Sequence, residues 1–263
     1  MKLSISNIGW SADNDSAIYN KMKSMGFKGL EIAPTRVFPE NPYDRLEEAK
    51  KWAESLKAEH GFEVPSMQSI WYGRNEKLFG TKEERSAIID YTKKAIDFAA
   101  AIHCKNLVFG CPRNRNMPEG VDRENAIEFF REIGNYAAEK GTVIGMEANP
   151  PIYNTNFIND TKSALDLIEE VASEGFKLNL DMGTMIENSE DVSVLKGHEE
   201  CINHVHISEP GLKPIEKREL HNELAALLKT SAYKGYVSIE VGCQEDLGEL
   251  YEMMKYVRDI FGE

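Results

Sequence analysis

The sequence predicts a single (β/α)8 barrel, the TIM-barrel fold, over residues 1–263. Three observations predict it. The length of 263 residues is close to the ~250 residues typical of this fold. Short β-like runs alternate with longer amphipathic segments from end to end, and eight such units close a parallel sheet into a barrel. Neither a Ser/Gly-rich linker nor a low-complexity tract divides the chain, so one domain is the simplest interpretation.

Each predicted strand is a short β-like run next to a longer segment of helical period. We predict strands at Leu3–Ile8, Gly29–Ala33, Phe62–Ile70, Asn106–Phe109, Val143–Glu147, Lys177–Asp181, His204–Ile207 and Tyr236–Val241. We predict helices at Asp44–Glu59, Thr81–Ile102, Asp122–Glu139, Asp160–Ser173, Ser189–Lys196 (a short one), Lys217–Thr230 and Gln244–Phe261. Thr81 and Glu84 have the spacing of a capping box, which marks the start of one of these helices.

The last part of most strands alternates between apolar and polar residues. Leu178 and Leu180 alternate with Asn179 and Asp181, for example. Side chains of a strand alternate between its two faces, so we expect the apolar set to face the helices and the polar set to face the barrel axis. Each polar residue comes late in its strand, which places it near the C-terminal mouth, where the active sites of such barrels form.

The fifth to eighth predicted strands each offer one side chain that can bind a metal: Glu147, Asp181, His206 and Glu240. The ends of adjacent parallel strands are neighbours, so we expect the four to converge. Three carboxylates packed together without a cation would be costly, because like charges in low dielectric repel or must protonate. The alternative is a set of buried polar groups satisfied by hydrogen bonds. We predict one divalent metal ion.

The donor set indicates the kind of ion. Three carboxylates and one imidazole favour Mn2+ first, with Mg2+, Co2+ or Zn2+ as alternatives. Four protein ligands leave two positions of a six-coordinate ion for adjacent oxygens of a sugar. The ion would then act as a Lewis acid on a carbonyl and make the neighbouring C–H more acidic.

The composition excludes several classes of function. A net charge of −13 repels the phosphate backbone, so we expect no nucleic-acid partner. No apolar run approaches the ~20 residues that span a bilayer, and we expect no membrane partner and a cytoplasmic location. The four cysteines form no CxxC pair, which indicates no disulfide framework. Homo-oligomerisation stays open.

Five short stretches resemble strands of the xylose isomerase-like TIM-barrel superfamily. They are Gly29-Leu-Glu31, Gly145-Met-Glu147-Ala-Asn149-Pro150, Asn179-Leu-Asp181-Met-Gly183, His204-Val-His206 and Ser238-Ile-Glu240. The superfamily includes D-tagatose/D-psicose 3-epimerases, hydroxypyruvate isomerases, inosose dehydratases and endonuclease IV. The resemblance covers essentially the whole chain.

The resemblance implies a metal-dependent isomerase or epimerase of a small sugar, a ketose or a related polyol derivative. In the ketose 3-epimerases the residues matching Glu147 and Glu240 bind the metal and also move protons on opposite faces of the substrate, next to a metal-bound carbonyl. The chain departs from these relatives at Thr184, where many have His, and at Leu212, where epimerases often have Arg. Two alternatives stay open: an inosose dehydratase-like lyase at the same metal, and a non-catalytic sugar-binding relative.

Candidate substrate contacts come from the polar residues around the predicted mouth. They are Glu31, Gln68, Arg113, Asn149, Glu209 and His221. Arg113 could hold a carboxylate or phosphate, Asn149 could reach hydroxyls, and Glu209 or His221 could replace the missing Arg or serve as the acid of a lyase. We expect His204, two residues before His206, to lie one layer deeper as a hydrogen-bonded core histidine.

Overall fold

Eight parallel strands form the centre of the molecule in the computed structural model, which describes residues 1–262. They are β1 (Lys2–Ser6), β2 (Gly29–Glu31), β3 (Ser66–Met67), β4 (Asn106–Phe109), β5 (Ile144–Met146), β6 (Phe176–Asp181), β7 (Ile202–Ile207) and β8 (Tyr236–Ile239). The hydrogen-bonded order is β2-β1-β8-β7-β6-β5-β4-β3. Parallel bridges from Gly29 to Glu63 and from Ile32 to Met67 join the two outer strands, so the barrel is nearly closed. This confirms the predicted (β/α)8 barrel.

Helices surround the strands. They are α1 (Asp15–Met25), α2 (Pro34–Val37), α3 (Leu46–His60), α4 (Lys82–Ala101), α5 (Glu124–Lys140), α6 (Thr161–Val171), α7 (Met182–Glu187), α8 (Glu219–Thr230) and α9 (Leu247–Phe261). The predicted capping box is present at the start of α4, where the Glu84 amide donates to the Thr81 hydroxyl and the Thr81 amide donates to the Glu84 carboxylate. No helix in residues 1–262 is long and apolar enough to cross a membrane.

Three helices differ from the sequence prediction, and the short α2 is one that was not predicted. Helix α1 was not predicted, because only Ile18 and Met22 of its residues are buried and its apolar stripe is narrow. The helix predicted at Ser189–Lys196 was wrong: α7 begins directly after β6, and only a short 3-10 helix lies at Val192–Leu195. The earlier start has a local cause, since the Asp181 carboxylate accepts the Thr184 amide and caps α7.

The third strand is shorter than predicted. The Phe62–Ile70 segment keeps only Ser66–Met67 as a regular strand, with a separate bridge at Glu63. Pro65 has no amide hydrogen to donate, so the ladder is interrupted there.

Polar side chains fill the inside of the barrel. Asn106 on β4 donates to Asn179 on β6 at 3.1 Å and to Ser66 on β3 at 3.0 Å, and all three are buried. Strands β4 and β6 are not neighbours, so the first bond crosses the barrel interior. The alternating apolar residues, such as Leu178 and Leu180, belong to the apolar core between strands and helices. The predicted separation of polar and apolar faces is therefore confirmed.

Candidate metal centre at the barrel mouth

Four side chains meet where β5 to β8 end. Glu147 and Glu240 directly follow β5 and β8, Asp181 ends β6, and His206 lies one residue before the end of β7. Each offers one ligand atom, and these four atoms all lie within 4.8 Å of one another. His206 is fully buried, and Glu147 and Glu240 are 9% and 8% exposed. The structure thus brings together the four residues that the sequence predicts as metal ligands.

The His206 imidazole lies between acidic groups on both of its edges. Its Nδ1 is 3.0 Å from Glu147 Oε1 and 3.2 Å from Glu240 Oε2, and its Nε2 is 2.9 Å from Glu31 Oε2. Burial lowers the pKa of His206, but the charges of Glu31 and Glu240 oppose this effect. Together with the hydrogen bonds to Glu147 and Glu240, they raise the pKa of His206 well above its ordinary value. Without a metal, a proton on Nδ1 therefore supplies the positive charge that these carboxylates need.

The pKa values of two of the carboxyl groups, Asp181 and Glu240, are raised. Burial, and then the charge of Glu147, raises the pKa of Asp181 to about 6. Burial also raises the pKa of Glu240 to about 7; His206 opposes the shift, and Glu147 and Asp181 add to it. A divalent cation among them would supply the missing charge, and three oxygen donors with one imidazole nitrogen suit Mn2+ or a similar ion. The residues present therefore fit a metal site.

Two amides orient the Glu147 carboxylate. Asn179 Nδ2 donates to Oε1 at 2.8 Å, and Asn149 Nδ2 lies 3.3 Å from Oε2. Gly110 provides the space beside it, since a Cβ there would lie 2.8 Å from Glu147 Oε2. Asn179 was not among the predicted site residues. Its position two residues before Asp181 puts it on the same face of β6, which is a signal that the alternation already contained.

Two hydroxyls and an amide hold the Asp181 carboxylate. The Thr184 amide donates to Oδ2 at 2.7 Å, the Thr184 hydroxyl lies 2.9 Å from the same oxygen, and the Ser208 hydroxyl donates to Oδ1. The Thr184 side chain thus braces the carboxylate next to the cleft. Both Thr184 and Ser208 were missed as site residues by the sequence analysis.

A small cleft opens above the four residues, with a volume of about 190 Å³. It is lined by Gln68, Ser69, Val108, Gly110, Cys111, Pro112, Glu147, Asn149, Tyr153, Asp181, Ser208, Glu209, Leu212 and Glu240. Three expected substrate contacts, Gln68, Asn149 and Glu209, are among them. Glu31, Arg113 and His221 do not line the cleft, so the substrate contacts expected of these three find no support in the structure.

The reasons differ among the three. Glu31 is fully buried beneath His206, and one of its carboxylate oxygens faces two imidazoles. Arg113 is exposed on the short 3-10 helix after β4. His221 is buried on α8 with its Nδ1 2.9 Å from the Tyr256 hydroxyl, and burial lowers the pKa of His221 to about 4.

Arg115, two residues after the exposed Arg113, points inward instead of toward solvent. It is fully buried and donates to the Glu147 carbonyl at 3.0 Å and to Asn149 Oδ1 at 2.9 Å. Burial lowers the pKa of Arg115 to about 10, which leaves it charged at neutral pH. Arg115 therefore supports the backbone at the end of β5 and the amide that contacts Glu147.

A second cavity, of about 500 Å³, is larger than the cleft but lies at the other end of the barrel. Lys2, Lys105 and Tyr236 are among its lining residues, and none of the four metal-site residues is. Volume alone does not locate the chemistry, because the converging acidic groups and the imidazole are all at the C-terminal mouth.

The comparisons with known proteins agree with this architecture. The family model described as "Xylose isomerase-like TIM barrel" matches residues 19–260. No curated protein matches the sequence at a significant level. A D-psicose 3-epimerase solved in the presence of D-fructose superposes with a TM-score of 0.79 at 17% identity, covering 100% of both chains.

Two further structures extend the range of reactions among the neighbours. A 3-keto-D-glucoside 4-epimerase from E. coli has a TM-score of 0.78 at 21% identity and covers 98% of this chain and 99% of its own. A probable 3-DHS dehydratase from Bacillus anthracis has a TM-score of 0.69 at 16% identity, covering 97% and 98%. At these identities the likeness establishes the fold.

Proposed function

The chain belongs to the xylose isomerase-like TIM-barrel family, and we propose that it is a divalent-metal-dependent isomerase or epimerase of a small sugar. The observation that carries the proposal is the pair of carboxylates, Glu147 and Glu240, which lie 3.0 and 3.2 Å from the buried His206 Nδ1. Two bases beside one cation site are what proton removal and return next to a carbonyl require.

Glu147, Asp181, His206 and Glu240 would hold the ion, with Mn2+ as the first expectation. The bound ion would polarise the carbonyl of the sugar and make the adjacent C–H more acidic. Glu147 and Glu240 would move the proton: one carboxylate removes it from the carbon beside the carbonyl, and the other returns a proton on the opposite face. Asn149 and Asn179 keep the Glu147 carboxylate in one orientation for this task.

The cleft favours a small, neutral substrate. Among residues 1–262 its lining contains carboxylates, amides and hydroxyls but neither Lys nor Arg. A phosphate or carboxylate on the substrate would therefore lie near these carboxylates with no Lys or Arg of the lining to offset its charge. Arg115, a buried cation that contacts the cleft residue Asn149, is already engaged by the Glu147 carbonyl and by Asn149 Oδ1. A volume of about 190 Å³ suits a molecule the size of a monosaccharide.

The alternative is elimination of water by a dehydratase-like lyase, a reaction class to which one structural neighbour is assigned. A lyase needs an acid beside the leaving hydroxyl, and the sequence offers Glu209 or His221. Arg218 engages both oxygens of Glu209, at 2.7 and 2.6 Å, and His221 lies outside the cleft. The epimerase or isomerase is therefore the better-supported reaction.

Hydrogen exchange tests the proposal. We expect the protein, incubated with Mn2+ and a panel of ketoses in D2O, to place deuterium on the carbon beside the carbonyl of its substrate. Glu147→Gln and Glu240→Gln keep the size of the side chain and one oxygen donor but remove the base, so each variant should lose turnover. One of the two should still exchange deuterium into the starting sugar, because the remaining carboxylate reaches one face.

The matched control is Glu63→Gln, which removes a carboxylate that contacts Lys57 and Tyr236 at the other end of the barrel. It should keep full activity. Full activity of both Glu147→Gln and Glu240→Gln would contradict the two-carboxylate mechanism. Release of water with a dehydrated product would indicate the lyase, and the absence of exchange into every ketose would indicate a sugar-binding relative.

A further inference from the structure

A fully buried carboxylate lies directly beneath the candidate metal centre. Glu31 is 0% exposed, and its Oε2 is 2.9 Å from His206 Nε2 and 2.9 Å from His204 Nε2. The proposed chemistry does not use Glu31, and Glu31 does not line the cleft. Burial of an unpaired carboxylate costs free energy, so the presence of Glu31 at this place calls for an explanation.

The hydrogen-bond geometry determines which nitrogen of His206 faces the cleft. A carboxylate oxygen accepts hydrogen bonds, so Nε2 of His206 carries the hydrogen that Glu31 accepts. The other nitrogen, Nδ1, then points at Glu147 Oε1 and Glu240 Oε2, 3.0 and 3.2 Å away. Only an Nδ1 without hydrogen can donate an electron pair to a metal.

We propose that Glu31 is a positioning residue, which holds the His206 ring with Nε2–H toward itself and a free Nδ1 toward the metal site. The inference rests on the metal centre of the proposed function but not on the reaction catalysed there. A carboxylate behind a ligating imidazole also makes the imidazole a stronger donor, and loss of such partners typically weakens metal binding by about 10–100-fold.

Glu31 is itself held in place by two further groups. His204 Nε2 donates to the same carboxylate oxygen, and Gln68 Nε2 lies 3.3 Å from the other oxygen, Oε1. Gln68 also donates to the Ser6 hydroxyl on β1 at 2.6 Å. These contacts join β1, β2 and β7 with Gln68, the residue after β3, so Glu31 cannot swing away from His206 without breaking them.

The same three residues, Glu31, His204 and His206, could also hold a cation of their own. That arrangement competes with the positioning role, because an ion there would take the Nε2 electron pair of His206 and leave the hydrogen on Nδ1. The two imidazole nitrogens lie at hydrogen-bond distance from one carboxylate oxygen, which favours the positioning role. The number of ions bound per chain separates the two arrangements.

The experiment measures Mn2+ affinity and stoichiometry by calorimetry for the wild-type chain and two variants. Glu31→Met removes charge and acceptor, and we expect affinity to fall by about 10–100-fold. Glu31→Gln keeps an acceptor oxygen, so its affinity should lie between those of the wild type and Glu31→Met. We expect one ion per wild-type chain, and Glu63→Gln should bind Mn2+ as the wild type does.

The tautomer gives a readout that a merely structural role would not change. With Zn2+ bound, the 15N chemical shifts of the His206 imidazole should show hydrogen on Nε2 in the wild type and in Glu31→Gln. That Nε2–H signal should exchange rapidly with water or disappear in Glu31→Met. If Glu31→Met does not fold, Glu31→Gln decides the question. An Mn2+ affinity below that of the wild type, with hydrogen on Nε2, supports the positioning role, and wild-type affinity contradicts it.

Wild-type affinity in both Glu31 variants, or two ions per wild-type chain, would overturn the positioning role and leave the proposed function standing. Failure of the wild type to bind any divalent ion would overturn both. A third outcome separates the two proposals. If the wild type binds one ion tightly and Glu31→Met binds it more weakly, but the wild type exchanges no hydrogen with any ketose, the positioning role is supported and the proposed reaction is contradicted.

Discussion

Metal binding should raise the thermal stability of this protein through His206. The four ligand atoms lie close together only in the folded chain, because they come from four different strand ends. An ion that binds the folded state alone stabilises it by about 2.7 kcal/mol when its free concentration is 100 times its dissociation constant. Replacement of His206 by Ala removes one of the four ligands and should remove most of this increment.

The size of the chain converts this free energy into a temperature. Unfolding entropy near 60 °C is roughly 2.1 cal/mol/K per residue, so a chain of 263 residues has about 0.55 kcal/mol/K. A stabilisation of about 2.7 kcal/mol then raises the melting temperature by about 5 °C. The protein treated with a chelator should melt that much lower, and re-addition of Mn2+ should restore the difference.

The assay compares melting curves with chelator and with Mn2+ for the wild type, His206→Ala and His221→Ala. His221 is the matched control, since it is also a fully buried histidine but lies on α8 outside the cleft. His221→Ala should be less stable yet keep the full response to Mn2+. Melting curves of the wild type that do not move on chelation and re-addition, or an equal response in His206→Ala, would refute the metal assignment.

Two further substitutions test how the cleft is supported. Gly110→Ala should displace the Glu147 carboxylate, which a Cβ would approach to 2.8 Å, and weaken Mn2+ binding by about tenfold or more in calorimetry; unchanged affinity would contradict the close approach. Arg115→Met should leave the Glu147 carbonyl and Asn149 Oδ1 without their donor and lower the free energy of unfolding in urea by about 2–5 kcal/mol. The exposed Arg113→Met should change it by only about 0.5 kcal/mol or less, and equal effects of the two Arg substitutions would contradict the supporting role.

Much of the barrel could be predicted from local patterns alone. Strand β4 and the capping box of α4 were predicted where the structure has them, because aliphatic runs and capping residues act over a few positions. The prediction failed for helices whose local sequence pattern was weak, as in α1, or whose capping residue was not recognised, as in α7. Helix α1 buries only Ile18 and Met22, and α7 starts early because the Asp181 carboxylate, which lies at the candidate metal centre, also caps this helix.

The sequence by itself determined which side chains face the barrel axis and which reach the mouth. A strand alternates its side chains between two faces, and a parallel barrel gathers all strand ends at one rim. These two rules suffice to bring Glu147, Asp181, His206 and Glu240 together without any knowledge of their contacts.

Only the tertiary structure decided what the other polar residues do. Glu31 contacts His206 across 175 positions of the chain, and Arg115 turns inward to Glu147 instead of outward like Arg113. Residue type and spacing give the face of a strand, and they predicted the deeper position of the buried His204, but they do not give the partner of a side chain across the barrel. The partner depends on how eight strands close and on which buried charge must be compensated, and that balance exists only once the barrel has formed.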